Sequence, residues 1–394
     1  MACLVLLQAG NNKGPKMSTN LSVLSTAATP IPQVALPIQK PDPSKIAVLL
    51  NRNARRVTDR VMKKIEQIAG SENVYYSRNL EEAEAFCREI VQKGYGTVAC
   101  GGGDGTLSGA INMIRTYVDE ANAWRMERHQ RLGEAQTLLS MPRFAFLRLG
   151  TGNAMAGVVG AQNPMDDVRR LIDYVPSRTY KLPLVRADDQ LCFFAGAGYD
   201  SVILNDYNWM KQNTRHPLTR GIMHSVIGYL VAAVTRTVPN ALAGNLDLRA
   251  RITSTGPAYY VDPRRGDAVI ELDVSRTLFE GSTKMIAAGT HPYFGSGFRI
   301  FPFSNIMPGM MNLRIASLGP LSALGNLPSI WKGHYRNPDR ILDFLVREVH
   351  VELERPFPFQ HSGEAVGEVE SFTLKIDEQP IELVDFFSPH ALRA

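Results

Sequence analysis

The sequence predicts an α/β N-terminal domain on a parallel sheet, followed by a β-rich, antiparallel, sandwich-like C-terminal domain. Three observations carry this reading. From Lys45 onward, short continuous apolar runs alternate with amphipathic stretches at helical spacing. Two glycine-rich turns, Gly101-Gly102-Gly103-Asp104-Gly105-Thr106 and Gly150-Thr151-Gly152-Asn153, each follow such a run directly. From about Arg178 the texture changes to brief alternating runs separated by turn residues. Continuous apolar runs mark strands buried on both faces, whereas alternation marks a sheet with one face to solvent.

Taken in order, residues 1–44 are rich in Ser, Thr, Pro, Ala and Asn and are expected to form a flexible tail, within which Met17 is an alternative start. Met1 to Leu7 is apolar but lacks a basic flank, so it does not read as a signal peptide. Ile46 to Leu50 is the first buried strand. Thr58 and Asp59 open a helix whose inner face is Val61, Ile65 and Ile68 and which stops at Gly70. Val74-Tyr75-Tyr76 is a strand. Asn79 and Glu82 form a capping pair for a helix that buries Ala83, Phe86, Cys87, Ile90 and Val91 and ends at Gly94. Thr97 to Cys100 is the third strand, and Leu107 to Tyr117 the helix after the first glycine turn. A polar, helical insertion is expected over Val118 to Gln136. Phe144 to Leu147 is the next buried strand, and Asn163-Pro164 reads as N-cap and first helical position. This places residues 45–180 in the first domain and 181–394 in the second. The strands of the second domain are expected at Cys192–Ala195, Ala268–Val274, Lys284–Ala288, Met311–Ala316, Val349–Leu353 and Ser371–Ile376, with one helical block over Gly221–Val238.

Composition narrows the class. With 44% hydrophobic and 21% charged residues among 394, the chain is not mostly disordered. No window reaches the ~18 consecutive apolar residues of a spanning helix, and the longest run is Val226 to Val234. A net charge of +5 suits anionic partners but falls short of a dedicated nucleic-acid binder. Cys3, Cys87, Cys100 and Cys192 form no CxxC pair, and no HExxH occurs. Zinc and a disulfide scaffold are thereby disfavoured, and a reducing, cytoplasmic setting is expected.

The two glycine turns carry the chemistry. Glycines let a backbone turn sharply and approach a polyphosphate, and free N–H groups at a helix start point at the anion. Asp104 in that setting calls for a role, because a carboxylate repels phosphates. It either works through Mg²⁺ or takes a proton from an attacking hydroxyl; its bland alternative is a helix cap. In a parallel sheet both turns lie at the carboxyl ends of strands and can flank one crevice. GxGxxG fails at Met155, and GxxxxGK[ST] is absent.

GGGDGT after one strand and LGTGNA after another resemble the diacylglycerol kinase and sphingosine kinase catalytic superfamily, over roughly Lys45 to the C-terminus. Weaker markers agree: Asn51 in the first-strand turn, Asn112 on the helix after GGGDGT, Gly196 to Asp200, Gly295-Ser296-Gly297 with Pro302, and Ser362-Gly363-Glu364. The resemblance implies transfer of the γ-phosphoryl group of ATP to a lipid hydroxyl, with ATP in the α/β domain and the lipid in the β-rich domain. It implies catalytic Asp104 and Glu364, both within reach of Mg²⁺. Nucleotide contacts would come from Asn51, Arg52, Gly101, Gly102, Gly103, Gly105, Thr106, Gly150, Thr151, Gly152 and Asn153, and a substrate contact from Asp200. It further implies a peripheral protein meeting its lipid at a membrane surface, with no nucleic-acid partner and with homodimerisation open.

The chain departs from the family at Arg52 and Arg148, where Pro is common, at Ala154, where Asp is common, and at Ser362, which replaces the Asp of Asp-Gly-Glu. The cluster Arg52, Arg55, Arg56, Arg60, Lys63 and Lys64 reads equally as a solvated basic face or as a source of phosphate contacts. Phe294, Phe298, Phe301 and Phe303 read as a pocket or membrane cluster, or as plain core. A soluble-substrate kinase such as NAD kinase and a non-catalytic lipid or nucleotide sensor remain the alternatives.

Overall fold

The computed structural model describes residues 36–394, apart from 151–152, 177, 215–227, 229–230, 243–245, 274–275, 296, 388–389 and 393–394. The predicted tail lies almost wholly outside the described residues. Its C-terminal end does not: Ile38–Gln39 pairs with Leu138–Leu139, and the first strand, β1 (Asp42–Asn51), begins before Lys45.

The N-terminal half alternates as its apolar pattern requires. After β1 come α1 (Asp59–Ala69), β2 (Val74–Ser77), α2 (Leu80–Gln92), β3 (Tyr95–Gly102), α3 (Asp104–Leu132), β4 (Arg143–Arg148), α4 (Ala154–Val159), α5 (Pro164–Asp173) and β5 (Thr179–Leu182). The local signals act as read. Thr58 Oγ1 accepts from the Val61 N–H, Gly70 takes φ 83°, and Asn79 accepts from the Glu82 N–H. The Glu82 carboxylate accepts from the Arg78 N–H, one residue upstream of the cap. The expected insertion is instead the second half of α3, one 29-residue helix closed by left-handed Gly133. Its polar outer half misled the periodicity, because solvent surrounds it on most sides.

Ile46 to Leu50 and all of β3 are buried, as strands flanked on both sides must be. The sheet order is β2-β1-β3-β4, all parallel. It is then extended by β18 (Ile381–Val384), parallel to β4, and by β5, antiparallel to β18. The last of these strands, Ile381–Val384, thus returns from the second half of the chain to the first sheet.

The second sheet has twelve strands among the described residues. They include β6 (Val185–Ala187), β7 (Gln190–Cys192), β8 (Phe194–Gly198), β9 (Leu248–Ser254), β10 (Ala258–Asp262), β11 (Ala268–Leu272), β12 (Thr277–Thr283), β13 (Met285–Gly289), β14 (Met311–Ala316), β15 (Ile341–Val346), β16 (Glu348–His361) and β17 (Glu364–Ile376). The expected run Cys192–Ala195 is two strands, and β6, β9, β10, β12 and β15 were not anticipated. The order is β7-β6-β17-β16-β8-β13-β14-β15-β10-β11, with β9 joining β12 to β16. Between them run α6 (Tyr199–Asn213), a π-helical turn (Ala233–Thr237), α7 (Val238–Leu242), α8 (Pro320–Gly325) and α9 (Leu327–Trp331). Half of the helical block expected over Gly221–Val238 lies outside the described residues.

Two polar side chains, half-buried Asn112 and buried Arg115, bind α3 to the second sheet and the segment that follows it. Asn112 donates to the Leu191 carbonyl at 2.7 Å and accepts from the Leu191 N–H at 2.8 Å, mimicking a strand neighbour. Arg115 donates to Asp377 at 3.2 Å and to the Gln379 carbonyl at 3.0 Å. Cys87, Cys100 and Cys192 are free and buried. Burial pushes the Cys87 thiol up to about 12, as an inert core residue requires.

Candidate functional site

The two glycine turns, which begin at Gly101 and Gly150, meet backbone to backbone. A side chain on Gly150 would strike the Gly103 backbone, so glycine at 150 is demanded by contact between the turns. The Leu149 N–H donates to the Gly102 carbonyl, which locks the approach. Asn153 adopts the left-handed conformation (φ 48°), and its side chain both accepts from the Gly150 N–H and donates to the Gly150 carbonyl. Thr151 and Gly152, assigned to the nucleotide by sequence, lie outside the described residues.

Asp104 joins the two turns. It occupies the first position of α3, and its carboxylate accepts from the Ala154 N–H at 2.8 Å and the Met155 N–H at 3.0 Å. It thus caps α4 rather than its own helix. Desolvation raises its pKa, with the two backbone N–H bonds opposing only in part. Asn51 Nδ2 donates to Thr106 Oγ1 at 3.1 Å, tying the end of β1 to the first glycine turn. Arg52 is exposed, its guanidinium 5.9 Å from the Tyr76 ring, and Arg55, Arg56, Arg60, Lys63 and Lys64 are exposed with it. Arg148 also faces solvent.

Glu364 reaches this place from the far end of the sequence. β16 and β17 form a hairpin closed by Ser362-Gly363, both with positive φ (49° and 81°), as a two-residue primed turn requires. Glu364 follows at once and lies against Gly105, where any side chain would collide with its carboxylate. The departure at Ser362 acquires a physical reading. The position is a turn residue, and its hydroxyl accepts from the Phe193 N–H at 3.0 Å. Ala154 is buried and serves through its N–H.

Asp200, at the start of α6, is buried and accepts from Gln360 Nε2 at 2.9 Å; burial pushes it up to about 6. Gln360 in turn accepts from the Gly363 N–H at 3.0 Å, which connects Asp200 to the turn that carries Glu364. Sequence reasoning missed Gln360. The available signal was an amide between the inward-facing Phe357 and Phe359 and the turn. Gly196 and Gly198 let β8 approach β13 closely, which sets the position of α6 and hence of Asp200.

Asp104, Gly105, Asp200, Gln360, Ser362, Gly363 and Glu364 all border one cavity of about 490 Å³. Its other walls are largely apolar, with Ile203 and Leu204 of α6, Val238 and Ala241 of α7, Leu324 of α8 and Trp331 of α9. Phe294 and Phe298 line it, whereas Phe301 and Phe303 are core, which divides the expected phenylalanine cluster in two. Among the described residues no group of three His, Cys, Asp or Glu could hold a metal ion by itself. Asp104 and Glu364 do fit the pattern of a Mg²⁺ held by one or two carboxylates and completed by phosphate oxygens.

Residues 45–182 match the family model of the diacylglycerol kinase catalytic domain, and residues 264–384 match that of the YegS C-terminal NAD kinase beta sandwich-like domain. No curated protein matches the chain. Among solved structures, a diacylglycerol kinase from Bacillus anthracis superposes with a TM-score of 0.54 at 13% identity, covering 87% of this chain and 97% of that one. A second Bacillus anthracis protein, described provisionally as a diacylglycerol kinase, gives 0.58 at 15% identity over 86% and 97%. These likenesses show the fold. An NAD kinase from Archaeoglobus fulgidus in complex with ATP gives 0.36 at 10% identity over 86% and 93%, too distant to carry an argument.

Proposed function

The chain belongs to the diacylglycerol kinase catalytic-domain superfamily, a family of phosphotransferases, and from that premise we propose that it transfers the γ-phosphoryl group of ATP to the hydroxyl of a lipid. The observation that carries the acceptor is the cavity. Its polar border holds Asp104, Glu364 and Asp200, and most of the rest of its wall is aliphatic and aromatic. A volume of about 490 Å³ suits a lipid head with part of its chains. An NAD acceptor would find few hydrogen-bonding partners on such a wall.

In this reading Gly101 to Thr106 and Gly150 to Asn153 hold the nucleotide phosphates through backbone N–H groups. The acceptor oxygen bonds to Pγ as the Pγ–O bond to ADP breaks, and the hydroxyl proton passes to the Asp104 carboxylate. Desolvation, which raises the Asp104 pKa, makes it a better base than a free aspartate. Proton loss late in a loose transition state asks little more of it. Asp104 and Glu364 would hold Mg²⁺, whose contribution is to neutralise charge on the phosphate oxygens. Asp200 would orient the lipid head.

Contact with a membrane surface is supported by exposed Val234, Leu242, Leu321 and Leu324, which sit on the same elements that wall the cavity. No helix among the described residues is long and apolar enough to cross a membrane. The test is transfer from labelled ATP, with Mg²⁺, to diacylglycerol, monoacylglycerol, sphingosine, ceramide and NAD. A labelled lipid supports the proposal. Labelled NAD, or ATP binding with no labelled product, overturns it.

A further inference from the structure

The cavity contains one feature that phosphoryl transfer does not use. β14 alternates Met311, Asn312, Leu313, Arg314, Ile315 and Ala316, and its polar members fall on the face shared with Asp343 of β15, directly opposite Arg314. Arg314 is 2% exposed and Asp343 5%. The Arg314 Nε and Nη2 donate to the two Asp343 oxygens at 2.9 Å each, and Asn312 Nδ2 adds a third bond to Asp343 at 3.0 Å. Nη1 is left over. It has no hydrogen-bond partner among the described residues and keeps accessible surface, and Arg314 lines the cavity as the one cation among its described lining residues.

Replacing a buried ion pair with apolar side chains is commonly neutral or stabilising, so stability alone does not account for a guanidinium on an apolar wall. Asp343 also decides what Nη1 can recognise. With both carboxylate oxygens engaged and Asp343 not among the cavity-lining residues, the pair is neutral as a unit and offers the cavity only a spare N–H donor, which suits neither an anion nor an ammonium. A spare donor on the wall of a largely apolar cavity, held in a neutral pair, suits an uncharged acceptor oxygen.

Resting on the lipid-kinase reading above, we propose that Arg314 is a specificity residue that donates through Nη1 to an acyl carbonyl of the lipid. The acceptor class is then an ester- or amide-linked acyl lipid rather than its ether or free-base counterpart. A hydrogen bond from a charged donor in a dry site sets a preference of roughly 10- to 100-fold.

The test compares kcat/KM for 1,2-diacylglycerol with that for its 1,2-dialkyl ether of equal chain length, and for ceramide with that for sphingosine. Both pairs are run with the wild-type protein and with the double variant Arg314→Met/Asp343→Leu. The double variant avoids stranding Asp343, and each ratio is internal to one protein, so loss of folded material cancels. A wild-type preference for the carbonyl member of either pair that falls to near unity in the double variant supports the proposal. Equal use of both members of each pair by the wild type, or a preference that survives in the variant, overturns the Arg314 assignment while leaving a lipid kinase in place. Transfer to none of the four lipids overturns the lipid reading and this assignment with it.

Discussion

The two sides of the site are built from different materials. The side proposed to hold phosphate is backbone: Gly103 against Gly150, Leu149 bonded to Gly102, and the carboxylate of Asp104 holding the start of α4. The acceptor side is side chain: Ile203, Leu204, Val238 and Ala241 from helices, and Asp200, Gln360 and Arg314 as its polar points. Backbone recognition suits a ligand part that never varies, a polyphosphate, and it leaves little room for substitution. A side-chain wall can be re-cut residue by residue without disturbing the turns. The two sides should therefore fail independently when mutated, and that is open to test.

The largest effect is expected at Asp104, where the two sides meet. Asp104→Asn should cut kcat by about 10²–10⁴ while nucleotide binding persists, as read by steady-state kinetics beside ATP titration. The variant should also lose about 1–3 kcal/mol of stability in denaturant unfolding, because one amide N–H₂ must face a backbone N–H of α4. A variant with wild-type turnover would favour a sensor. Next, Ala241→Trp should obstruct the cavity and lower kcat/KM for lipid by about tenfold or more. KM for ATP should stay unchanged if the two sides are separate; a parallel rise in KM would break the comparison.

Gly150→Ala should act in the opposite sense. Its methyl group has no place beside Gly103, so the turns must part, with about 1–3 kcal/mol lost in thermal unfolding and ATP affinity falling before lipid affinity. The smallest effect concerns pH. Burial raises Asp200 to about 6, so the folded protein binds this proton more tightly than the unfolded chain does. Ionisation of Asp200 therefore costs stability above pH 6, and that cost disappears as pH falls toward the ordinary value near 3.8. Asp200→Asn should be more stable than wild type by about 1–3 kcal/mol at pH 7, with the gap closing by pH 4 in matched melts. The wild-type profile alone is a poor readout. Buried Asp167 shifts in the same direction, while His291, lowered to about 3 by burial, shifts oppositely.

Legibility in the sequence followed the same division. The glycine turns could be read because their glycines sit in one short segment each, after short apolar runs, Val98 to Cys100 and Phe144 to Leu147. Asp104 and Glu364 were legible through their turns, and the structure brings both to Gly105. Gln360, Arg115 with Asp377, and the Arg314–Asp343 pair were not. Each depends on a partner tens to hundreds of residues away, and a polar residue in an alternating strand reads as solvent-facing until the opposing surface is known. The long polar end of α3 was misjudged for the converse reason, since an exposed helix has no buried stripe to count.

By itself the sequence determined the order of helices and strands in the first half, the change to antiparallel strands, the two glycine turns and the acid they carry. These are local properties, set by apolar period, capping residues and glycine. Only the tertiary structure decided that the turns touch, that Asp104 caps α4, that the last strand returns to the first sheet, and that a hairpin delivers Glu364 to Gly105. It also decided that a neutralised guanidinium faces an apolar cavity. Those are contacts between distant segments, selected by the packing of two sheets against one long helix, and no period along the chain records them.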